Sequence, residues 1–285
     1  TITSIAADGN DEGGAIIDNS FAVSDQPVIL SGAQGYNNNG NGPGLQVVSN
    51  GFVTISNVIA SANAGDGVSI DNRGSASGQG VLVAGTNTFN DNANGLSILS
   101  HGVITTYNLF AAVNGADGVY LDNCDGSLVS CFVPGAPYVI MYGNNYFYQN
   151  VGDGLDVSSY GQIIVYNLTA SDNNGNGALL SNDRDSAPGG IESAGSITLY
   201  GYNVFNNNTL DGLNATSNDD IIAYSLTAND NVNNGVSLTA DKTQPALRSY
   251  VTKVKIKKKF KFVTVYYYVT TANITLYGPN NFYNN

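Results

Sequence analysis

Asp219 and Asp220 are adjacent carboxylates, and glycoside hydrolysis requires two carboxyl groups facing one bond. Such a site also needs groups that hold the sugar. The chain has one histidine, His101, and only two basic residues before residue 242, Arg73 and Arg184. The Asp pair occupies a repeated position that elsewhere carries the dipeptides 50–51, 101–102 and 160–161. We therefore interpret the pair as a solvated turn and predict that the chain has no catalytic site.

A column of acidic and amide residues recurs two positions before each repeated strand, at Asp66, Asn94, Asp117, Asp153, Asn176, Asp211 and Asn234. Asp117 and Asp153 are the one adjacent pair of carboxylates in this column. Stacked one repeat apart they would repel each other, and a hard cation with oxygen ligands would relieve the repulsion. Calcium is therefore the only cofactor that the sequence suggests. The alternative is a plain column of turn residues, because Asp before Gly is common in turns.

Cys124 and Cys131 are the only cysteines, and they lie seven residues apart in one predicted loop. A zinc site would need further His or Cys ligands nearby, which this stretch lacks. We predict a disulfide that closes the loop, in agreement with an oxidising compartment outside the cell. Two reduced thiols, or two core residues, are the alternatives.

Two glycosylation sequons fall where the side chain is predicted to face outward. Asn214 lies between the inward residues Leu213 and Ala215, and Asn273 precedes inward Ile274. Both are candidate acceptors of an N-linked glycan. In a chain with 40 asparagines, chance occurrence is the alternative.

The composition predicts an all-β protein. The chain contains 40 Asn and 34 Gly, which favour turns, and only two of its 22 acidic residues are Glu, a good helix former. It has no apolar run of 18 residues, so we predict no membrane insertion. Residues 1–241 carry 22 acidic and two basic groups, a net charge of -20, which disfavours binding to nucleic acid.

A short motif, Gly followed by an apolar residue, any residue and a second apolar residue, recurs along the chain. It begins at Leu45, Val68, Leu96, Val119, Leu155, Ala178, Leu213 and Val236, with a weaker match at Ala15. Every second step between matches is 23 residues, which fits one coil of a parallel β-helix. The intervening steps of 28, 36 and 35 residues indicate the same coil with an inserted loop.

Two further columns keep the same register. An Asn stands five residues before most motif positions, at Asn10, Asn63, Asn114, Asn150, Asn173, Asn208 and Asn231, with Asn92 displaced by one residue. Stacked amides can hydrogen-bond along the axis of a solenoid. Three residues before them, small and large side chains alternate, at Ala7, Tyr36, Ala60, Phe89, Ala111, Phe147, Ala170, Phe205, Ala228 and Phe282. This alternation predicts a closely packed interior.

The strings of the form Gly-x-Asn-x-Phe at 85–89, 143–147, 201–205 and 278–282 complete the pattern. With the coil length and the Asn column, they resemble the right-handed parallel β-helix repeats of the pectate-lyase-like superfold, over nearly the whole chain. The resemblance implies an all-β, right-handed parallel β-helix of about ten coils with variable loops. The superfold includes polysaccharide lyases and hydrolases, phage tailspikes and surface adhesins, so it implies no single activity.

The resemblance does not extend to the catalytic strings of that superfold. The pectin hydrolases of this fold place a Gly-His-Gly string and an Arg-x-Lys string near their paired aspartates. Here His101 stands in Ser-His-Gly, and Arg-x-Lys does not occur. A polysaccharide-active enzyme, or a glycan-binding module that uses exposed tyrosines, is therefore the alternative function.

The segment 250–270 breaks the repeat, because it interleaves basic and apolar residues. It contains Lys253, Lys255, Lys257, Lys258, Lys259 and Lys261 together with Phe260 and Phe262. The alternation predicts a protruding basic β-hairpin arm inside an insertion spanning residues 242–273. The arm could add a strand to another copy, with its lysines meeting that copy's acidic body. The alternative is an arm folded back on its own chain.

We predict a single β-solenoid domain over residues 1–285, extracellular or at the cell surface, with a structural or adhesive role. Its expected partners are other copies stacked head to tail or a longer parent chain, with a glycan as a candidate ligand. Ala7 belongs to a small-residue coil and Phe282 to a large-residue coil, so stacking one copy on the next would continue the alternation.

Overall fold

The computed structural model describes residues 1–74, 77–123, 137–182, 195–241, 247–256, 259–268 and 272–285. Between 247 and 268 it describes the backbone alone. The described chain is all-β, and it forms a right-handed parallel β-helix, as the repeat predicts. No described residues form a helix long and apolar enough to cross a membrane.

Three sheets run along the described solenoid, and each interior coil contributes one short strand to each of them. Sheet A contains β1 (Ile2–Thr3), β3 (Val28–Ser31), β6 (Val53–Ser56), β9 (Val81–Ala84), β12 (Ile104–Tyr107), β15 (Val139–Tyr142), β18 (Ile163–Tyr166), β21 (Ile197–Tyr200), β24 (Ile221–Tyr224) and β29 (Ile274–Tyr277). Sheet B contains β4 (Gln34–Asn37), β7 (Val58–Ser61), β10 (Asn87–Asn90), β13 (Leu109–Ala112), β16 (Asn145–Tyr148), β19 (Leu168–Ser171), β22 (Asn203–Asn206), β25 (Leu226–Asn229) and β30 (Asn281–Tyr283).

Sheet C contains β2 (Ala15–Asp18), β5 (Leu45–Val48), β8 (Val68–Asp71), β11 (Leu96–Leu99), β14 (Val119–Asp122), β17 (Leu155–Ser158), β20 (Ala178–Ser181), β23 (Leu213–Ser217) and β26 (Val236–Ala240). Two longer strands complete this sheet, β28 (Lys259–Tyr268) and β27 (Leu247–Ile256).

The register of sheet C is the one that the 23-residue motif predicts. Leu96 pairs with Val68 on one side and Val119 on the other, and Ala15 pairs with Leu45. Apart from β27 and β28, the strands of sheet C are four or five residues long, and in strands such as β11, β17 and β23 buried and partly exposed residues alternate. Because successive side chains of a strand point to opposite faces, each coil turns one apolar set into the solenoid.

The interior is filled by alternating small and large side chains, as predicted. Ala111 pairs with Phe89 and Phe147 in the neighbouring coils, and Phe147 pairs in turn with Ala170. All four side chains are fully buried. Each aromatic ring therefore lies beside methyl groups along the axis, which lets the core reach close packing.

A ladder of buried asparagines joins successive coils. Asn150 Oδ1 accepts hydrogen bonds from the backbone N–H and the Nδ2 of Asn114, at 3.1 and 2.9 Å. Asn150 Nδ2 donates to the carbonyl oxygen of Ala111 at 3.3 Å and to Asn173 Oδ1 at 2.9 Å. The asparagine ladder comprises Asn10, Asn39, Asn63, Asn92, Asn114, Asn150, Asn173, Asn208, Asn231 and Asn285. The sequence pattern missed Asn39, and the displaced Asn92 is a full member.

A second set of buried amides occurs on alternate coils, at the Asn of the Gly-x-Asn-x-Phe strings. Asn145 Oδ1 accepts a hydrogen bond from the backbone N–H of Leu109 at 3.3 Å, and its Nδ2 donates to the carbonyl oxygen of Tyr166 at 2.9 Å. Asn203 makes the equivalent bonds to Leu168 and Tyr224. Each of these amides therefore connects three successive coils through backbone groups that would otherwise be unpaired in the core.

The basic segment forms a hairpin, as predicted. β27 pairs with β28 in antiparallel fashion, with Lys253 opposite Phe262 and Lys255 opposite Phe260. β28 also pairs in parallel with β26, through Tyr266 and Tyr267. At its base the hairpin therefore extends sheet C of its own chain, through these two residue pairs.

Opposite substitutions in the core column should both destabilise the solenoid. Phe147→Ala leaves a cavity between Ala111 and Ala170, and we expect it to lower the free energy of unfolding by about 3–5 kcal/mol. Ala170→Phe overpacks the same column and should cost about 1–3 kcal/mol or more. Denaturant unfolding measures both, and unchanged stability in either variant would contradict the alternation of small and large residues.

Candidate functional site

The corner between sheets C and A is where the coils differ most. On one set of alternate coils a buried serine closes a tight turn: Ser49, Ser100 and Ser159 accept hydrogen bonds at Oγ from the backbone N–H of residues 51, 102 and 161. On the other coils a buried Asn stands at the serine position, and the chain makes a longer excursion. We call this edge of the solenoid the loop corner.

The asparagines at the loop corner hold the two ends of each excursion together. Asn72 Nδ2 donates to the carbonyl oxygens of Gln79 and Gly80, at 2.7 and 3.2 Å. Asn182 Nδ2 donates to the carbonyl oxygen of Gly195 at 2.6 Å. The coils therefore carry insertions on one edge, at every second level, without a break in the sheets. In repeat proteins, insertions on one face often form the binding surface.

The acidic pair lies at this corner but one position away from the predicted register. Asp219 N–H donates to Ser217 Oγ at 3.1 Å, so residues 218 and 219, rather than 219 and 220, match the dipeptide 50–51. Asp220 Oδ1 accepts a hydrogen bond from the backbone N–H of Asn273 at 2.6 Å. The sequence interpretation placed the pair one residue out of register, because residue 218 lies five residues after Leu213, as residue 50 does after Leu45.

His101 occupies the same turn column four coils before Asp219, a separation of about 19 Å at the usual strand spacing. Its side chain is 5% exposed. That distance exceeds the reach of groups acting on one glycosidic bond, so the structure does not bring the three sequence candidates together.

Arg73 forms a two-pronged ion pair at the loop corner. Its Nε and Nη2 donate to Asp71 Oδ1 and Oδ2 at 3.0 and 2.7 Å. The hydrogen bond from Arg73 lowers the pKa of Asp71. The pair is about one third exposed, so it is a local surface contact of modest strength. Arg184 lies outside the described residues.

Asp117 and Asp153 lie one above the other, as predicted. Asp117 Oδ1 accepts a hydrogen bond from the backbone N–H of Asp153 at 2.8 Å, and Asp153 Oδ1 accepts from Asn176. Burial raises the pKa of both carboxyl groups, and the charge of Asp117 raises that of Asp153 further. Among the described residues there is no group of three or more His, Cys, Asp or Glu suited to a metal ion. Calcium binding therefore stays a prediction that these two carboxylates alone support.

The whole acidic and amide column forms a second ladder. Asn94 donates from its backbone and from Nδ2 to Asp66 Oδ1, and Asn234 does the same to Asp211 Oδ1. An Asn at this position thus gives two hydrogen bonds to the coil before it, whereas the Asp153 carboxylate cannot donate the second one. This arrangement matches the plain turn column that the sequence offered as the alternative to calcium.

The other predicted sites are placed only in part. Cys124, Cys131, Lys257 and Lys258 lie outside the described residues, so the disulfide stays a prediction. Lys253, Lys255, Lys259, Lys261, Phe260 and Phe262 lie in the hairpin, where the backbone alone is described. Asn214 is partly exposed on β23, and Asn273 is exposed, with its Nδ2 donating to Asp220. Both asparagines therefore face outward as predicted.

A row of six stacked tyrosines lies on the outer face of sheet A, and the sequence interpretation missed it. The ring centroids of neighbours are 4.9–5.4 Å apart and their planes are inclined by 17–25°. The tyrosine row comprises Tyr107, Tyr142, Tyr166, Tyr200, Tyr224 and Tyr277. Each ends a four-residue strand that begins with an apolar residue, so a Tyr three positions after that residue was a usable signal.

The row begins at the fifth coil. The same outward position holds Ser31, Ser56 and Ala84 in earlier coils. Burial, and then the neighbouring Tyr200 and Tyr142, raise the pKa of Tyr166, so its phenol stays protonated at neutral pH. At this strand position, the outer face of sheet A therefore carries small side chains in the early coils and tyrosine from the fifth coil onward.

A smaller aromatic cluster lies on the outer face of sheet B. Tyr146 and Tyr148 stack with ring centroids 6.4 Å apart, and Tyr148 lies 6.4 Å from Phe110. Phe110 and Tyr146 are among the exposed large hydrophobic residues. These are the exposed aromatic side chains to which the predicted glycan-binding alternative would apply.

Comparison of the chain with protein-family models, with curated proteins and with solved structures gave no match. The fold and the surfaces described above therefore carry the functional conclusions.

Replacing Asp153 with Asn should stabilise the solenoid at neutral pH. The new amide can donate to Asp117 Oδ1, as Asn94 does to Asp66, and the replacement removes a like charge; we expect a gain of about 1 kcal/mol. Because the folded-state pKa of both carboxyl groups is raised, the wild-type protein binds extra protons when folded and loses stability as pH rises through that pKa. Denaturant unfolding across pH 4–8 should show a weaker loss for Asp153→Asn.

Asp211→Asn is the matched control, because Asp211 has amide neighbours, Asn176 and Asn234, in the column. It can gain the same hydrogen bond but relieves no adjacent like charge, so its pH profile should stay close to that of the wild type. Calcium binding at the pair predicts the reverse: calcium would raise the wild-type melting temperature, and Asp153→Asn would remove that rise and lower stability in its presence.

Proposed function

We propose that the chain is an extracellular structural and adhesive β-solenoid that stacks end to end with other copies or with further coils of a longer chain. The observation that carries the proposal is the uninterrupted axial hydrogen bonding of the asparagine ladder from Asn10 to Asn285, combined with insertions confined to the loop corner. Such a rod holds its loops at regular heights along one edge, which suits a scaffold that presents binding segments.

The two end coils supply a surface for axial contact. Interior members of the core columns are fully buried, whereas Ile5 and Ile17 at one end, and Leu238 and Phe282 at the other, are only partly buried against the core. Further coils placed on these surfaces would cover the apolar groups and pair the outer strands of the sheets. A contact between opposite ends is heterologous, so it propagates into a filament.

At the end of the solenoid that carries Leu238 and Phe282, the hairpin limits which strand edges are available for the axial contact. Its strand β28 pairs with Thr239 and Ala240 of β26, so this part of the sheet C edge is already occupied by the chain's own arm. The proposed axial contact therefore uses the edges of sheets A and B and the part of β26 before Thr239. The arm's proposed role is to flank this contact, and donation of a strand to a neighbour is not needed.

The enzymatic alternative has less support. Asp219 lies in a serine-closed turn, Asp220 accepts a hydrogen bond from Asn273, and His101 is about 19 Å away along the axis. We therefore assign no catalytic residue. The proposed location outside the cell rests on the predicted disulfide between Cys124 and Cys131, which an oxidising compartment would favour.

Sedimentation velocity over a range of protein concentrations, combined with negative-stain electron microscopy, tests the proposal. We expect species that lengthen with concentration while keeping the width of one solenoid. Leu238→Lys places a charge on the end surface and should abolish the lengthening. Ile59→Lys is the matched control, because Ile59 is 54% exposed on the lateral face of sheet B, and it should leave the lengthening intact.

A protein that stays monomeric at every concentration would overturn end-to-end stacking. Loss of association in the Ile59→Lys variant, with Leu238→Lys unaffected, would replace it with side-by-side contact. Both variants must first show the wild-type circular dichroism spectrum.

A further inference from the structure

The tyrosine row places six phenols in contact along one outer face. Tyr107 and Tyr142 are 35 residues apart in the chain, yet their ring centroids are 5.0 Å apart. The remaining neighbours are 5.4, 4.9, 5.3 and 4.9 Å apart. The first five members are partly exposed and Tyr277 is 49% exposed, so the row is open to reagents in solvent.

Stacking explains part of this arrangement but not all of it. Offset aromatic pairs stabilise neighbouring strands, and phenylalanine would do the same without a hydroxyl group. All six positions carry tyrosine, although the core of the same protein uses Phe89, Phe147 and Phe205 for aromatic packing. The phenol group itself is therefore the feature that sets this face apart.

Phenols have a characteristic oxidative chemistry. Each phenol loses one electron and its O–H proton to form a phenoxyl radical, and two radicals join through one new bond between carbons adjacent to the hydroxyl-bearing carbons. The hydrogen on each coupled carbon then moves to the phenol oxygen, restoring both hydroxyl groups. The pair has lost two hydrogen atoms, and one molecule of hydrogen peroxide accepts them to give two molecules of water.

The geometry points to the tyrosine row as a modification site: we propose that peroxide-dependent oxidation cross-links neighbouring tyrosines of the row into dityrosine, joining successive coils covalently. A radical formed on any member has a stacked neighbour on at least one side. The backbone pairing of sheet A holds the strands that carry these neighbours in register, through pairs such as Tyr107 with Tyr142 and Tyr166 with Tyr200. Radical coupling within the row should therefore be faster than radical coupling between molecules.

This proposal does not depend on end-to-end stacking or on an adhesive role. It adds a covalent bond across sheet A, where the strands of successive coils are otherwise held together by hydrogen bonds and packing. Each cross-link closes a loop of the chain and so restricts the unfolded state. An oxidised solenoid should unfold at higher denaturant concentration than the untreated protein.

The test is oxidation of the purified chain with hydrogen peroxide and a haem peroxidase at low protein concentration. Dityrosine fluorescence measures the reaction, and cleavage before aspartate followed by mass spectrometry locates it. Asp117, Asp153, Asp172, Asp211 and Asp230 each lie between two successive members of the row, so this cleavage places every member in a separate peptide. We expect linked peptides, each lighter by two hydrogen atoms, from successive members only.

Tyr166→Phe divides the row while keeping an aromatic ring in the stack. We expect it to remove the links 142–166 and 166–200, to keep the links 107–142 and 200–224, and to leave the melting temperature of the unoxidised protein unchanged. Tyr202→Phe is the matched control, since Tyr202 is 75% exposed and lies outside the row, and it should leave all row links intact.

A mixture of isotopically labelled and unlabelled protein separates the two modes of coupling. Links within one molecule give no peptides of mixed label. The proposal is overturned if dityrosine forms mainly in mixed-label peptides, if it maps to Tyr202 instead of the row, or if Tyr166→Phe leaves its yield and positions unchanged.

Discussion

The hydrogen bonds of the asparagine ladder determine much of the rest of this structure. An interior ladder amide such as Asn150 accepts two hydrogen bonds from one neighbouring coil and donates to both neighbours, so it satisfies backbone groups at a buried corner where the chain turns. The turn also requires a positive φ just before the ladder position, at residues such as Val113 and Gln149. The turn also requires glycine before the sheet C strand, because a Cβ on Gly118 would lie 2.5 Å from the carbonyl oxygen of Gly154 and 2.8 Å from Asn150 Nδ2. The recurring glycine of the sequence motif therefore reflects the close approach of successive coils beside the ladder.

Because the asparagine ladder fixes one corner of the coils, the loop corner can vary in length from coil to coil. The sheets keep one register through every described coil, and the chain absorbs insertions at the loop corner, where a serine or an asparagine closes the turn. The outer faces are then free to differ along the rod. The tyrosine row on sheet A begins at the fifth coil, and the stacked pair Tyr146 and Tyr148 on sheet B lies on the sixth coil. The scaffold and the outer surface are therefore determined by different residues.

The fold could be predicted in detail because the constraints that set it repeat. The step from Leu45 to Val68 and the alternation of Phe147 with Ala170 appear in the sequence at constant spacing, and both are confirmed. Features set by single polar contacts were predicted less well. Asn39 was missed because it lies six residues before Leu45 instead of five, and the turn that Ser217 closes was placed one residue late. The hairpin was predicted from its alternation, but its pairing with Thr239 and Ala240 depends on which strand edge is nearby, and a local pattern does not contain that information.

Hydrogen exchange of an Asn150→Leu variant tests most directly whether the ladder holds the coils in register. Leucine keeps the side-chain volume and removes the acceptor for the Asn114 amide and the donor for the Ala111 carbonyl, each of which costs about 1–3 kcal/mol when buried without a partner. We predict faster exchange of the Asn114 amide and of the strands of the adjoining coils. Asn214→Leu, on the outer face of β23, should leave protection unchanged. Equal protection of the Asn114 amide in both variants would contradict the account.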